Sequence, residues 1–457
     1  MSDLIRLCGL LHDALPAGDL RDRVDAIART DQQPVRIGVI GRVGTGKSTL
    51  VNAVLGRPVA ATAAEDCTRY PTVYSYGAPE NAVALGVDGR RTPLPLDLSL
   101  GEPPSDTVKV EVTLQTAVLR RITVVDFPGL AATPDAPDTP RATELVEGCE
   151  ILLYLFRGQL RADDERVIAD HAAASHALAE GALPTVGVLA HADNFGPGGW
   201  AEEDSIELAA ASCRARLTAT NGRFHQVVAL SPLMAETVRT GRVTEGVARR
   251  LRALRDADPL LLQFGAGAPE SDPSAVADLT ALLTGYAVNR GRVHGGSSHV
   301  LSEWMLERSG YQALMRAFDG LQPIVSRIRL SRALQDLNAL LRAPGVPRPA
   351  QALLEREMLG ATGHAARELR ALRLLAAEQP DHELVGVLRT LMNATTTRER
   401  LTALVTGSEG AWPADPIRWC RAQASRYQAL AGFGGSGAET EAARTLSMSF
   451  LYLAGHP

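Results

Sequence analysis

The stretch VIGRVGTGKSTLVNAVLG, Val39 to Gly56, decides the fold. It continues VRIGVI, Val35 to Ile40, a short β-branched run of the kind that forms a buried strand. That strand leads into Gly41-Arg-Val-Gly44-Thr45-Gly46-Lys47-Ser48, a full match to the phosphate-loop pattern, and STLVNAVL follows as a helix. Glycines let successive backbone N–H groups turn inward as an anion-binding nest, which the helix N-terminus reinforces. Lys47 is expected to reach the β- and γ-phosphates of a nucleotide as a compact point charge, a task a forked guanidinium does not match. Ser48 is expected to place its hydroxyl on Mg²⁺.

Composition sharpens the reading of Lys47. Among the 47 basic residues only Lys47 and Lys109 are lysines. The arginine bias, with abundant alanine, suggests a GC-rich bacterial genome, yet this position did not take arginine. At 457 residues the chain calls for two or three domains. Aromatics at 4% make the core aliphatic, and a net charge of −5 gives no basic field, so no nucleic-acid partner is expected. Five scattered cysteines form neither a disulfide framework nor a metal site, which points to a reducing cytoplasm. No signal peptide is read at the start, and apolar runs such as ILLYLF fall short of the roughly 20 residues a spanning helix needs.

A carboxylate is needed at the end of a neighbouring strand. RITVVDFPGL provides it: a β-branched run ends in Asp126, and Asp126-Phe-Pro-Gly129 has DxxG spacing. Asp126 would hold Mg²⁺ through water, and the Gly129 N–H would sense the γ-phosphate. Between the two motifs, AEDCTRYPTVYSYG should supply a threonine that closes over Mg²⁺ and the γ-phosphate. Thr68 is the first choice, with Thr62 and Thr72 as alternatives.

The base is read further on. The strand Thr185 to Leu189 runs into His191-Ala-Asp193. A carboxylate here suits guanine, whose N1–H and exocyclic amine are adjacent donors that one carboxylate accepts together. The usual motif has a lysine two residues before the aspartate, packed over the base; here it is His191, whose imidazole can still cover the base face. The competing role for Asp193 is to cap the following helix. HQVVALSPL ends another strand at Ser231, whose backbone N–H is expected to meet the guanine O6.

Together, GxxxxGKSTLVNAVLG, CTRYPT, DFPG and AHADNFG resemble the dynamin-like GTPases, and most closely the actinobacterial branch that includes the isoniazid-inducible dynamin-like proteins of mycobacteria. The resemblance is specific over the first 235 residues and looser after, in MLERSGYQALMRAFD (Met305 to Asp319) and GHAARELRALRLL (Gly363 to Leu375). It implies that Gly41 to Thr49 form the phosphate loop, Thr68 is the switch-I threonine, Asp126 and Gly129 form switch II, and Asp193 sets guanine specificity. It implies GTP as substrate with Mg²⁺, and catalysis resting on Lys47, Thr68 and Gly129. Partners implied are a second copy, or a paralogous dynamin-like protein, in a nucleotide-dependent assembly, and peripheral contact with an anionic membrane at the inner face of the plasma membrane. One departure is Val43, which stands where eukaryotic dynamins keep a glutamine that orients the attacking water. Valine cannot do that, so hydrolysis should be slow, or rest on backbone groups, Thr68 and contacts across a dimer.

Past residue 235 helical periodicity takes over. Leu314, Phe318, Leu321, Val325 and Ile328 recur at spacings of 4, 3, 4 and 3; after a phase slip near Pro323, Leu330, Leu334, Leu337 and Leu341 repeat the rhythm. The expected architecture is a phosphate-loop GTPase domain, a mostly parallel sheet flanked by helices, over 33–240. An elongated all-α bundle over 301–457 would act as neck and stalk. Residues 1–32 should pack on that neck, and 241–300, rich in Gly, Pro and Ser, should connect the parts as a hinge. Further helices are expected near 350–378, 382–405, 416–431 and 438–454. Membrane contact is expected at a stalk tip, in RAPGVPRP (Arg342 to Pro349) or at Trp412 and Trp419.

Overall fold

The computed structural model describes residues 3–60, 70–96, 103–129, 149–158, 184–219, 224–267 and, apart from short gaps, 269–455. These residues fall into two units, one over 34–168 and 183–321, the other formed mainly by 1–33 and 322–457.

The first unit is built on a sheet of nine strands among the described residues, in the order β4-β3-β5-β2-β6-β1-β7-β8-β9. These are β1 (Val35–Gly41), β2 (Thr72–Tyr76), β3 (Asn81–Gly86), β4 (Arg91–Leu94) and β5 (Thr107–Leu114), followed by β6 (Ile122–Asp126), β7 (Ile151–Phe156), β8 (Thr185–Ala190) and β9 (Gln226–Leu230). From β6 through β1 to β9 every pairing is parallel. Every residue of β6, β7 and β8 is buried, as a sheet covered on both faces requires. The far edge is antiparallel: β3 and β4 form a hairpin turned at Asp88-Gly89, with Gly89 at φ +80°. The chain leaves β1 toward β6 on one side and β7 on the other, so a crevice opens at the carboxyl ends of these strands.

Residues 241–300 do not form the expected hinge. Helices Glu245–Ala253, Ala275–Leu283, Gly285–Gly291 and Ser298–Arg308 bury Leu251, Leu279, Leu283, Tyr286 and Met305 in one core with Leu189, Ala192 and Met234. Stacking of Tyr286 on Trp304, 6.1 Å between ring centres, joins the last two. The Gly- and Ser-rich composition misled because the apolar residues sit on short helices, each too brief to show a periodic stripe.

The second unit is helical. Helix Tyr311–Leu341 runs as one element with Pro323 inside it, and its residues from 322 onward belong here. Leu330, Leu334, Leu337 and Leu341 pack with Leu4, Leu7 and Leu11 of α1 (Asp3–Ala14) and Val24 of α2 (Asp19–Thr30). The expected 350–378 helix is two, Arg348–Leu359 and Ala361–Glu378, broken at Gly360, whose backbone is extended. Within the expected 382–405 segment the described helices are Glu383–Asn393 and Thr397–Gly407. A second core joins these to Pro416–Leu430 and Gly437–Gly455. Trp419 packs half-buried against that core, its ring 5.7 Å from Phe450, edge to face. Trp412 lies outside the described residues.

Candidate nucleotide site

The loop between β1 and α3 (Lys47–Leu55) lies at the carboxyl edge of the parallel strands. Its glycines are forced. Gly41 has φ +151°, and a Cβ there would stand 2.5 Å from the Leu155 carbonyl oxygen on β7. Gly46 caps α3 in the left-handed region, at φ 88°, and a Cβ would press on Pro232 at 3.1 Å. Gly44 also has positive φ and is exposed at the loop's outer edge. The carbonyl of Arg42 organises the loop: it accepts from the Thr45 hydroxyl at 2.8 Å and from Lys47 Nζ at 3.1 Å. Lys47 is only 7% exposed. Ser48 and Thr49 follow on the first turn of α3, half-buried.

Gly129, expected to belong to switch II, meets this loop directly. A Cβ on Gly129 would lie 3.1 Å from Lys47 Nζ and 2.6 Å from Val43 Cγ2, so only glycine allows the approach. Asp126 is the last residue of β6, in register with Val39 of β1 on one side and Thr72 of β2 on the other, and is 1% exposed. Burial, with the Asp126 charge adding to it, pushes the Tyr74 hydroxyl well above its ordinary range. Thr72 is buried as the first residue of β2 and its hydroxyl donates to the Tyr70 carbonyl at 3.2 Å, a position fixed in the sheet. Thr68 and Thr62 lie outside the described residues.

The segment expected to read the base arrives from β8. His191 takes a left-handed backbone, φ 57°, which ends the strand and starts the short 3-10 turn Ala192–Asn194 holding Asp193. Its ring reaches back over the phosphate loop: a Cβ on Gly46 would be 3.8 Å from His191 Nε2, and the Gly44 backbone beside the ring favours its protonated form. Burial first, then the Arg157 charge, lower the imidazole's pKa, against the opposing pull of Asp193. Asp193 does not cap the next helix. Asp204 does, accepting from Ile206 N at 3.0 Å and Glu207 N at 3.2 Å. Ser231 requires a correction: its N–H, expected to face a base, donates instead to the Ser309 carbonyl at 2.8 Å. Ser309 lies far along the chain, so nothing local in HQVVALSPL could reveal this.

Two contributors escaped the sequence reading. Arg157, just past β7, directs Nη1 toward the Gly44 carbonyl at 3.5 Å. Asn52 on α3 is a buried hub: its carbonyl accepts from the N–H groups of Val59 (3.0 Å) and Ala60 (2.7 Å), and its amide donates to Glu236 at 2.7 Å. It fixes the chain just ahead of the 61–69 segment.

The donors fit a magnesium nucleotide. Gly41 and Gly46 leave no room for a side chain, Lys47 stands between the loop and Gly129, and the His191 Nε2 and Ser231 Oγ atoms are buried without a protein partner. No group of three or more His, Cys, Asp or Glu side chains converges for a metal among the described residues. Ser48 and Asp126 are instead the kind of sparse set Mg²⁺ uses when water and substrate phosphates complete its shell.

Residues 37–191 match the Dynamin family model. The isoniazid-induced protein IniC of Mycobacterium tuberculosis is 30% identical over 275 residues, 55% of this chain and 55% of that protein. A bacterial dynamin-like protein of Nostoc punctiforme is 28% identical over 164 residues, covering 30% and 22% of the two chains. The chain thus spans about half the length (55%) of the first of these curated relatives. A solved structure described as an oligomerised bacterial dynamin pair aligns over 99% of this chain and 86% of its own, at 13% identity and a TM-score of 0.35, too low to support an inference. Residues 37–191 thus carry a domain that matches the Dynamin family, and the similarity to bacterial dynamin-like proteins extends over about half of the chain.

Proposed function

We propose that this chain binds and hydrolyses GTP, that GTP draws two heads together, and that the cycle acts on a membrane. The observation that carries the reading is the meeting of Val43, Lys47 and Gly129, with Asp126 at the adjoining strand end and His191 folded over Gly44 and Gly46. In this reading Lys47 leaves the Arg42 carbonyl for the β- and γ-phosphates, and the Gly129 N–H contacts the γ-phosphate. Ser48, Asp126 through water, and Thr68 would hold Mg²⁺. The ion supplies charge neutralisation on the phosphate oxygens. Asp193 accepts both guanine donors while His191 covers the ring. Among the described residues no helix is long and apolar enough to cross a membrane, so lipid contact would be peripheral.

A second reading is a GTP-gated scaffold with slow hydrolysis and no direct remodelling. Val43 favours it: the side chain facing Gly129 is apolar and cannot polarise a water. GTP turnover measured with and without anionic liposomes separates the two. Strong stimulation by liposomes supports the membrane-active cycle; binding without stimulated turnover supports the scaffold.

A further inference from the structure

Two side chains from different strands converge on one exposed backbone group of the phosphate loop. Arg157, at the carboxyl end of β7, points a guanidinium nitrogen at the Gly44 carbonyl, 3.5 Å away. His191, at the end of β8, lies beside the same Gly44 backbone. At 3.5 Å the arginine contact is a long hydrogen bond, so its strength is mainly that of a charge directed at a carbonyl dipole. The same charge acts on its neighbour: after burial, Arg157 is the leading influence disfavouring protonation of His191. Asp193, 8% exposed, lies two residues further on, in the short turn that His191 starts. Arg157 is charged at every accessible pH.

Building on the guanine reading above, we propose that Arg157 is a positioning and specificity residue of the nucleotide site. It clamps the loop at Gly44 and places a permanent positive charge beside the base-reading pair His191 and Asp193. The cation stands just past the strand that neighbours β8, with the imidazole filling the space over the base.

The test uses the full chain and three readouts. Arg157→Gln should weaken GTP binding about tenfold. It should also narrow the preference for GTP over ITP, which lacks the exocyclic amine that Asp193 would accept. A role confined to packing would weaken both nucleotides equally. Adding His191→Lys to Arg157→Gln returns a cation from the other side and should restore most of the affinity. In nucleotide-free protein, the charges bearing on His191 are Arg157 from β7 and Asp193 from its own turn. Removing Arg157 should therefore raise the His191 pKa seen by NMR. Unchanged GTP affinity and GTP/ITP ratio in Arg157→Gln overturn the assignment, as does an unmoved His191 titration. Wild-type protein that binds no guanine nucleotide overturns the reading of the site itself, and this assignment with it.

Discussion

Lys47 shows what one residue can reveal before any fold is known. In a chain that writes nearly every cation as arginine, a buried lysine after three glycines marks a place where a point charge is required. Lys47→Ala should weaken GTP binding by about 10- to 150-fold, the scale of a lost charge-assisted contact at about 1.5–3 kcal/mol. Equilibrium titration with a fluorescent GTP analogue measures it, and unchanged affinity would remove the phosphate site from this loop. Val43 carries a second expectation at this scale. Val43→Gln places an amide against Gly129 and should raise basal GTP turnover several-fold with little change in affinity; a rate no higher than wild type would mean that the attacking water is oriented elsewhere. The phosphate loop and Asp126 were legible because each motif is contiguous. Ser231 was not, because the group that takes its N–H comes from Ser309. Arg157 was not, because an arginine after a strand has no signature until the strand order brings β7 beside the loop.

Elements are joined by buried polar pairs whose energetics are testable. Asn52 holds Val59, Ala60 and Glu236 at once, tying α3 to helix Pro232–Arg239. Burial raises the Glu236 pKa, opposed by the Asn52 bond and the Arg242 charge. A carboxyl raised in the folded state binds more protons there than in the unfolded chain. Its stabilising effect is complete below the unfolded pKa and is lost as pH rises through the folded one. Glu236→Gln keeps an acceptor for Asn52 and should flatten that slope, leaving the variant at least as stable as wild type at pH 7. Urea denaturation at pH 4 and 7 checks it; an unchanged pH dependence would assign the slope to other groups. In the helical unit, Arg400 pairs with the fully buried Glu368 at 3.1–3.2 Å. Arg400→Met strands that carboxylate and should cost about 3–5 kcal/mol. A loss below about 1 kcal/mol would mean that neighbouring arginines already compensate the charge. Short elements were the least legible: Asp88-Gly89 is a strong hairpin signal, yet the flanking strands are only four and six residues long.

Across the whole chain, sequence patterns were plainest where a periodic stripe runs long. The leucines of Tyr311–Leu341 identified that helix, and the same spacing places Leu330 to Leu341 in a core with α1. The parts between 241 and 300 were opaque because their burial arises from contact with the nucleotide-binding core, not from their own pattern. If the proposed cycle holds, a non-hydrolysable GTP analogue should shift the full chain from monomer toward dimer in sedimentation velocity, and Lys47→Ala should not respond. A mass that is the same with and without the analogue would confine the protein's action to single heads. Beneath all of these predictions lies the choice of base. The direct measurement is competition for a bound fluorescent GTP analogue by unlabelled GTP, ATP and xanthosine triphosphate, in wild type and Asp193→Asn. The account predicts displacement by GTP and none by ATP at 100-fold (~2.7 kcal/mol) higher concentration. In the variant, GTP should weaken by about 2–4 kcal/mol while the xanthine nucleotide gains, since its carbonyl replaces the amine. Equal displacement by ATP and GTP in wild type, or an Asp193→Asn variant with unaltered base preference, would contradict it.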